Sequence, residues 1–456
     1  MIHLYRFQEL NILLDVGSGA VHILDDAAAD DLRAGRDNEE LDALVREGTL
    51  HAPEPDADAF SPEGRGAVVK AMCLHVAHDC NMRCGYCFAD AGGFGGARGL
   101  MSLETGRRAI DCLLAASGAR RNLEVDFFGG EPLMNWDVVR ALVLYGRERE
   151  KPPGKHLRFT LTTNGLLLDD EKTAFLNEHM DNVILSIDGR PVVNDRMRKT
   201  AGGEGTYGKI IDKLLRFKDA REAAGKLYYV RGTYTRHNLD FAEDVKHLAG
   251  LGFKNISVEP AVVAEDDPQM PWALTEKDLP ALCAEYDRLA AWMREEDAAG
   301  RPVSFFHFKI DLEQGPCVYK RAAGCGAGTE YVAVTPEGDV YPCHQFVGEE
   351  GYRLGSLETA GGRQACPALC CRDAAPTVSG ATNKESSKTS IFSRAHIHTK
   401  APCRECWAKY YCSGGCHANA LHFEGDILTP HRLSCALERK RVECAIGLLA
   451  AKAVGL

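Results

Sequence analysis

Six apolar, strand-like runs alternate with helix-like segments between residues 68 and 260, and this alternation constrains the fold more than any other feature. Six successive strand–helix units predict an α/β fold with a parallel sheet and right-handed crossovers. Such a sheet can curl into a partial (β/α)6 barrel that binds ligands at the carboxyl ends of its strands. The predicted strands are Ala71–Ala77, Leu123–Phe128, Leu157–Leu161, Asn182–Ile187, Leu227–Thr233 and Asn255–Glu259. The predicted helices are Leu103–Ala116, Trp136–Glu150, Glu171–His179, Tyr207–Ala224, Asn238–Leu251 and, beyond the barrel, Glu276–Ala299.

Three cysteines directly follow the first predicted strand, where the fold would place a ligand. Cys80, Cys84 and Cys87 form a Cys-x3-Cys-x2-Cys pattern with Tyr86 before the last thiol. Thiolates are the usual protein ligands of a [4Fe–4S] cluster. Three of them leave one iron open to a small molecule, which predicts a reactive cluster. Zinc is the alternative, but no matching Cys-x2-Cys or His pair occurs in the next twenty residues.

Polar residues and glycines occupy the ends of the other predicted strands. Gly129-Gly130-Glu131-Pro132 follows the second strand. Glycine lets the backbone approach a ligand closely, and Glu131 offers a negative charge to an ammonium group. The remaining candidates are Thr163, Asn164, Ser186, Asp188, Arg231 and Glu259. Each of these could instead be a solvated or structural polar residue.

The C-terminal region holds a second group of cysteines with short, unequal spacings. They are Cys403, Cys406, Cys412 and Cys416 in a Cys-x2-Cys-x5-Cys-x3-Cys run, flanked by Cys317, Cys325, Cys343 and Cys435. Disulfides are rare in the cytosol, so the 18 cysteines of the chain favour metal or redox chemistry. A zinc ribbon is the alternative for the run, although its unequal spacings disfavour one.

Composition shifts divide the chain into three predicted domains. Residues 1–65 contain three short apolar runs followed by two helix-like segments, which predicts a small, separate, winged-helix-like module. The alternative is an N-terminal extension that caps the next domain. Residues 66–300 would form the barrel and 301–456 the cysteine-rich domain. Residues 360–400 lack periodicity and predict a mobile or irregular insertion.

Overall charge and hydropathy exclude some classes of partner. The net charge of −11 argues against a non-specific nucleic-acid binder. No run of 18 apolar residues occurs, so we expect no transmembrane helix and no membrane partner. Residues 1–5 lack the profile of a signal peptide. We therefore expect the chain to be cytoplasmic.

The three-cysteine motif followed by Gly-Gly-Glu-Pro resembles the radical S-adenosylmethionine (SAM) superfamily. The resemblance implies that the amino and carboxylate groups of SAM bind the open iron. It also implies roles for the surrounding residues. Gly129, Gly130, Glu131 and Pro132 would hold the methionine amino group, Tyr86 would pack near the adenine, Ser186 and Asp188 would contact the ribose, and Arg231 would pair with the carboxylate.

The C-terminal cysteine spacings resemble the SPASM domain, which carries auxiliary iron–sulfur clusters. By this resemblance Cys403, Cys406, Cys412 and Cys435 would bind one auxiliary cluster. Cys317, Cys325, Cys343 and Cys416 would bind the other, and this second set leaves open whether one iron is free for a substrate thiolate. Three [4Fe–4S] clusters and SAM are therefore the expected cofactors.

Several longer stretches resemble the maturases of six-cysteine ranthipeptide (SCIFF) precursors, which install thioether bridges. These stretches are Cys73–Cys80, Val125–Trp136, Gly315–Arg321, Tyr341–Phe346 and Cys412–Cys416. The family implies a cysteine-rich precursor peptide whose leader pairs with an edge strand of the N-terminal module. It also implies an electron donor such as flavodoxin or ferredoxin. The 360–400 segment departs from the family pattern.

Two other functions stay open. Anaerobic sulfatase-maturing enzymes, which form formylglycine, carry an acidic residue directly after the cysteine that matches Cys343, where this chain has His344. A non-catalytic iron–sulfur protein would need neither an open iron nor Glu131. The implied radical reaction takes a hydrogen from a peptide carbon, which then bonds to a cysteine sulfur.

Overall fold

The computed structural model of the protein describes residues 1–55, 68–262, 270–312, 322–357 and 391–456. The N-terminal unit has three antiparallel strands, β1 (Ile2–Phe7), β2 (Leu10–Asp15) and β3 (Val21–Leu24), in the order β1-β2-β3. Helices α1 (Asp26–Ala34) and α2 (Glu39–Arg46) follow. The predicted three strands and two helices of this unit are thus confirmed as elements.

Strand β2 buries residues on both of its faces. Leu13 packs with Leu24 and Leu41 against the two helices of the unit. Ile12 and Leu14 belong instead to the main core, together with residues of the last helix of the chain, Arg432–Ala453. The N-terminal unit is therefore packed on the C-terminal region.

The central sheet contains the six predicted strands, all parallel and in sequence order. They are β4 (Ala71–His78), β6 (Asn122–Gly129), β7 (His156–Thr163), β8 (Asn182–Ser186), β9 (Leu227–Tyr234) and β10 (Asn255–Pro260). A two-residue strand, β5 (Gly99–Leu100), pairs antiparallel with β4. On β6 and β7 every second residue is fully buried, and the large apolar side chains Phe127 and Phe159 stack at this face.

The connecting helices lie where the sequence predicted them. They are α3 (Leu103–Ala116), α4 (Trp136–Arg149), α5 (Asp170–His179), α6 (Pro191–Met197), α7 (Tyr207–Ala223), α8 (Phe241–Gly250) and α9 (Leu279–Ala298). Among the helices described in this part of the chain, α6, with seven residues, is an addition to those predicted. The Ser102 hydroxyl caps the first turn of α3, and Asp169 caps α5 in the same way.

The C-terminal region continues the central sheet on the far side of β4. Strand β12 (Tyr331–Val334) pairs parallel with β4, and β13 (Asp339–Tyr341) and β14 (Gly355–Ser356) follow as antiparallel neighbours. At the opposite end, β11 (Ser304–Phe305) pairs with β10. The barrel and the cysteine-rich region thus share one sheet, a connection that the sequence did not predict.

The last part of the chain is helical. It contains α10 (Ala401–Arg404), α11 (Lys409–Cys412), α12 (His417–Glu424) and α13 (Arg432–Ala453), of which α13 packs along α9. Residues 391–400 are packed, since Phe392, Ala395, Ile397 and Lys400 are all buried. Residues 391–400 of the predicted mobile or irregular insertion thus pack against the rest of the protein, while its part from 360 to 390 lies outside the described residues. Within the described ranges, no helix is long and apolar enough to cross a membrane.

Candidate functional site

The cysteine loop after β4 is held against the segment that follows α6. The Arg83 amide donates to the Lys199 carbonyl at 2.8 Å, and the Gly85 amide donates to the Met197 carbonyl at 2.8 Å. The loop therefore crosses the carboxyl ends of the strands and turns Cys80, Cys84 and Cys87 into a cavity of about 210 Å³. This is the edge of the sheet at which an α/β fold binds its ligands.

Gly129 and Gly130 let β6 approach the backbone that leads to Cys80. A Cβ atom on Gly129 would lie 2.2 Å from the Ala77 carbonyl oxygen, and one on Gly130 would lie 2.1 Å from that of Asp79. The close approach allows the Glu131 amide to donate to the Asp79 carbonyl at 3.0 Å. The structure therefore assigns these glycines a contact with the chain itself, in addition to lining the cavity.

Glu131 is fully buried at the wall of the cavity and accepts three hydrogen bonds. Its carboxylate receives the Thr163 hydroxyl at 2.8 Å, the Asn164 amide at 2.7 Å and the Leu133 amide at 3.0 Å. Burial raises the pKa of Glu131 to about 6, although these donors oppose the rise. The carboxylate is thus ionised at neutral pH and fixed in one orientation.

Asn164 links this carboxylate to the cysteine loop. Its side-chain amide donates to the Asn81 side-chain oxygen at 2.8 Å and lies 3.7 Å from the Cys80 sulfur. Thr163 and Asn164 therefore connect the ends of β6 and β7 to the first cysteine, which explains why a Thr-Asn pair follows a buried strand here.

Tyr86 is held by a buried carboxylate and a buried guanidinium. Its hydroxyl donates to Asp188 at 2.7 Å and accepts from Arg198 Nη1 at 3.2 Å. Burial raises the pKa of Asp188 to about 6, and Arg198 opposes this rise. Asp188 does not line the cavity; it lies behind Tyr86 and also accepts from the Thr233 amide at 3.0 Å. Its carboxylate therefore positions the aromatic ring.

Arg198 is the main residue that the sequence analysis missed. It lines the cavity at 6% exposure, and within the described part of the chain its Nε atom has no hydrogen-bond partner. Burial raises the pKa of the Cys84 thiol to about 12, and the positive charge of Arg198 opposes the rise. Arg198 follows a seven-residue helix in a loop, where no periodicity marks it.

Arg231 and Glu259 also line the cavity, but they bind each other. The Arg231 guanidinium donates to the Glu259 carboxylate at 2.5 Å. Burial would raise the pKa of Glu259, yet Arg231 and His307 lower it to about 2. Arg231 is therefore already neutralised by a partner, whereas Arg198 keeps an unpartnered nitrogen.

All predicted ligands of the first cluster and of SAM line this cavity, except Asp188. Ser186 and Pro132 lie in its wall with the residues above. The C-terminal region adds His344 and Gln345, which sequence reasoning did not place there. His344 packs against Phe128 and hydrogen-bonds the Tyr331 hydroxyl through Nδ1 at 3.2 Å. Burial lowers the pKa of His344 to about 4, so its ring is neutral.

The C-terminal thiols form two groups. Burial raises the pKa of Cys343 and Cys416, and each is raised further by Cys325, so these three thiols form one group, whereas Cys317 lies outside the described residues. The other group contains Cys403, Cys406, Cys412 and Cys435. Burial raises the pKa of Cys403, Cys412 and Cys435, and other thiols of the group, Cys406 among them, raise it further. A second cavity of about 280 Å³ reaches Cys412, Cys416 and Cys435 and shares Glu259, Pro260, Val262 and Gln345 with the first.

The donor sets fit iron–sulfur clusters better than single metal ions. Within the described ranges, no three His, Cys, Asp or Glu side chains converge to hold one ion. A [4Fe–4S] cluster does not need such convergence, because each thiolate binds a separate iron. Half-buried free thiols such as Cys80, whose pKa burial raises to about 11, are deprotonated by metal coordination.

Sequence comparison finds a family match for the part of the chain that forms the central sheet. Residues 74–258 match the family model of the Radical SAM superfamily, and this match supports an enzyme. An uncharacterised protein of Methanocaldococcus jannaschii is 27% identical over 192 residues, which are 42% of this chain and 62% of that protein. The cysteine-type anaerobic sulfatase-maturating enzyme of Clostridium novyi is 25% identical over 358 residues, covering 75% of this chain and 86% of the enzyme. The PqqA peptide cyclase of Xanthomonas axonopodis pv. citri is 24% identical over 372 residues, covering 79% and 86%.

Solved structures share the fold. Native anSMEcpe with bound AdoMet has a TM-score of 0.65 at 20% identity, covering 85% of this chain and all of that one. Streptococcus suis SuiB bound to the precursor peptide SuiA has a TM-score of 0.55 at 15% identity, covering 95% and 98%. The mixed α/β architecture with its parallel sheet is therefore shared with these solved structures.

Proposed function

We propose that the chain is a radical SAM enzyme that joins cysteine sulfur to carbon in a cysteine-rich peptide. The observation that carries the proposal is the shared cavity. Cys80, Cys84 and Cys87 face the buried Glu131 on one side and His344 of the C-terminal cysteine region on the other. The site at which the radical forms would then be continuous with the site at which it reacts with the peptide.

The residues of the cavity suit the ammonium and carboxylate groups of SAM. Cys80, Cys84 and Cys87 would hold a [4Fe–4S] cluster and leave one iron for SAM. Glu131, ionised and fixed by three donors, would receive the SAM ammonium group. Arg198, rather than the Glu259-paired Arg231, would receive its carboxylate. When bound, the reduced cluster and SAM supply a 5′-deoxyadenosyl radical that removes a hydrogen atom from carbon.

The rest of the cavity wall would protect that chemistry from water. Met82, Phe88, Phe128, Pro260 and Val262 give the cavity an apolar lining. The neutral His344 ring lies on the C-terminal side, oriented by the Tyr331 hydroxyl. It is positioned to contact a peptide that enters from the second cavity, and it offers a hydrogen-bonding nitrogen without introducing charge.

A peptide substrate agrees with the relatives. The similar curated enzymes mature sulfatases or cyclise the PqqA peptide, and SuiB was solved with a precursor peptide. The N-terminal sheet offers an edge for a leader peptide, since β3 pairs only with β2 in the described part of the chain. The two C-terminal thiol groups would hold two auxiliary clusters, and a flavodoxin or ferredoxin would supply electrons.

Formylglycine formation is the second candidate, favoured by the similarity to the Clostridium novyi enzyme. The residue after Cys343 is His344, a neutral imidazole, and not a carboxylate. This difference removes the acidic base that formylglycine formation would use at this position. We therefore rank thioether formation first.

One experiment separates these functions. The reconstituted protein is incubated anaerobically with SAM, dithionite and a cysteine-rich peptide, and the products are analysed by chromatography and mass spectrometry. Thioether formation predicts 5′-deoxyadenosine, loss of two hydrogens per bridge and thiols that resist alkylation. An aldehyde that reacts with hydrazines would establish formylglycine formation. Absence of 5′-deoxyadenosine would refute both.

A further inference from the structure

Lys400 is a buried lysine that contacts the turn joining Cys412 to Cys416. It is 1% exposed and lies immediately before α10, which carries Cys403. Its Nζ atom donates to the Gly414 carbonyl at 2.8 Å and to His417 Nδ1 at 3.2 Å. Burial lowers the pKa of His417 to about 3, so its ring is neutral and accepts the bond. Lys400 therefore donates one hydrogen bond to the turn after Cys412 and one to the residue after Cys416.

The turn between Cys412 and Cys416 has a backbone conformation that allows the hydrogen bond from Lys400. Ser413, Gly414 and Gly415 have φ angles of 61°, 89° and 74°, three successive left-handed residues between Cys412 and Cys416. Two glycines make this conformation accessible. The turn directs the Gly414 carbonyl toward the Lys400 ammonium and thereby connects a cysteine of each thiol group to the same charge.

No carboxylate neutralises Lys400 within the described part of the chain. Other lysines of this region do have such partners, since Lys409 pairs with Glu54 and Lys440 with Asp287. Lys400 is bonded instead to the cysteine-bearing segments. Its backbone carbonyl accepts the Cys403 amide at 2.9 Å, and its ammonium donates to the Gly414 carbonyl, which lies between Cys412 and Cys416.

We propose that the Lys400 ammonium is a fixed counter-charge that raises the reduction potential of the auxiliary cluster held by Cys403, Cys406, Cys412 and Cys435. The inference rests on the proposed function, because it requires that cluster. Reduction adds one negative charge to a cluster, and a buried cation nearby stabilises the reduced form more than the oxidised form. Lys400 contacts this cluster's segments on two sides, because its carbonyl accepts the Cys403 amide and its ammonium bonds the turn that follows Cys412.

A raised potential suits thioether formation. When a carbon radical joins a thiolate sulfur, one carbon–sulfur bond forms and one electron is left in excess. That electron must pass to an acceptor, and the auxiliary site is the acceptor class that the proposed function supplies. Lys400 would make the transfer more favourable without touching the substrate.

The test is an EPR-monitored redox titration of the reconstituted full chain. Lys400→Gln keeps a donor for the Gly414 carbonyl but removes the charge, Lys400→Met removes both, and Lys400→Arg keeps the charge. Lys440→Met is the matched control, because Lys440 lies on α13 beyond Cys435 and pairs with Asp287. We expect Lys400→Gln and Lys400→Met to disfavour the reduced form about tenfold, which is a shift of about −59 mV for one electron. Lys400→Arg and Lys440→Met should retain the wild-type potential.

Iron content makes failure of the inference distinguishable from failure of the proposed function. Three clusters require about twelve irons per chain. If Lys400→Gln keeps that iron and titrates like the wild type, Lys400 is a structural residue and the inference is wrong. If Lys400→Met loses iron, Lys400→Gln alone decides. A wild-type chain that binds only about four irons contradicts the auxiliary clusters themselves.

Discussion

Replacement of Glu131 by glutamine tests the proposed SAM site most directly. The side chain is fully buried, and its two carboxylate oxygens accept from Thr163, Asn164 and Leu133. Glutamine has nearly the same shape but carries no charge. In either orientation its amide group turns two donor hydrogens toward a backbone N–H, of Leu133 or of Asn164. The substitution therefore removes a charge and also leaves one donor facing another.

The expected loss of SAM affinity follows from these contacts. A hydrogen bond to a charged group contributes about 1.5–3 kcal/mol, and breaking a buried ion pair costs about 3–5 kcal/mol. A loss of about 2–4 kcal/mol in binding free energy corresponds to a roughly 30- to 700-fold weaker SAM dissociation constant. Stability should also fall by about 1–3 kcal/mol, because one buried donor stays unpaired.

Glu285→Gln is a matched control for the stability effect. Glu285 is also buried and accepts a backbone amide, that of Ala242, at 3.1 Å, but it lies on α9 outside the cavity. SAM binding is measured by anaerobic calorimetry on proteins of equal iron content. Glu285→Gln should lose stability and keep its SAM affinity. Equal SAM affinity in wild type and Glu131→Gln would refute the assignment of Glu131 to the ammonium group.

The pH dependence of SAM binding gives an independent check on Glu131. Burial raises its pKa to about 6, so in the empty folded protein the carboxyl group takes up a proton as pH falls through that value. The protonated form cannot pair with the ammonium, and SAM affinity should fall about tenfold per pH unit below about 6. The empty fold, by contrast, is stabilised by this protonation. Glu131→Gln should show neither effect.

Three further outcomes are expected. Cys84→Ala should abolish 5′-deoxyadenosine formation and lower the iron content by about four atoms. Cys283→Ala, at a half-buried thiol outside both cavities, should do neither. Retained SAM cleavage in Cys84→Ala would contradict the role of Cys84 as a ligand. Gly130→Ala should destabilise the fold by about 2–4 kcal/mol in denaturant unfolding, because its Cβ would lie 2.1 Å from a carbonyl oxygen. Gly203→Ala, at positive φ but in open space, should cost only about 1 kcal/mol. Equal losses of stability would show that backbone strain, and not the close contact, sets the cost of replacing Gly130. Removal of residues 1–55 should lower the melting temperature of the remainder, because it uncovers the face of α13 that the N-terminal strands bury; an unchanged melting temperature would indicate a merely tethered unit.

The barrel could be predicted because its strands are continuous apolar runs that end at chemically distinctive residues. Phe127 and Phe159, for example, lie on strands buried by helices, and such strands are conspicuous in a sequence. Short elements could not be predicted, because they contain no long apolar run. Strand β12 has only four residues, and it is defined by its pairing with β4, which no local pattern encodes.

The candidate site likewise contains residues that a local sequence pattern predicts and residues that it does not. Cysteines and glycines in a fixed spacing pointed to the cavity, and the predicted ligands of the first cluster and of SAM line it, except Asp188. Arg198 and His344 could not be placed, because their positions depend on how a loop and a distant region fold over the strand ends. Lys400 was assigned to an irregular insertion because composition alone does not reveal a lysine that is buried.

The pairing of β4 has a consequence for the order in which the protein is assembled. Ala71 and Tyr331 are register partners although they lie 260 residues apart, since 331 − 71 = 260. The strand that carries the three-cysteine loop therefore acquires its second neighbour only when most of the chain has been synthesised. Contacts so distant in sequence form late and slowly. A nascent chain would thus complete the support beneath its radical-generating loop together with the cysteine-rich region, and not before it.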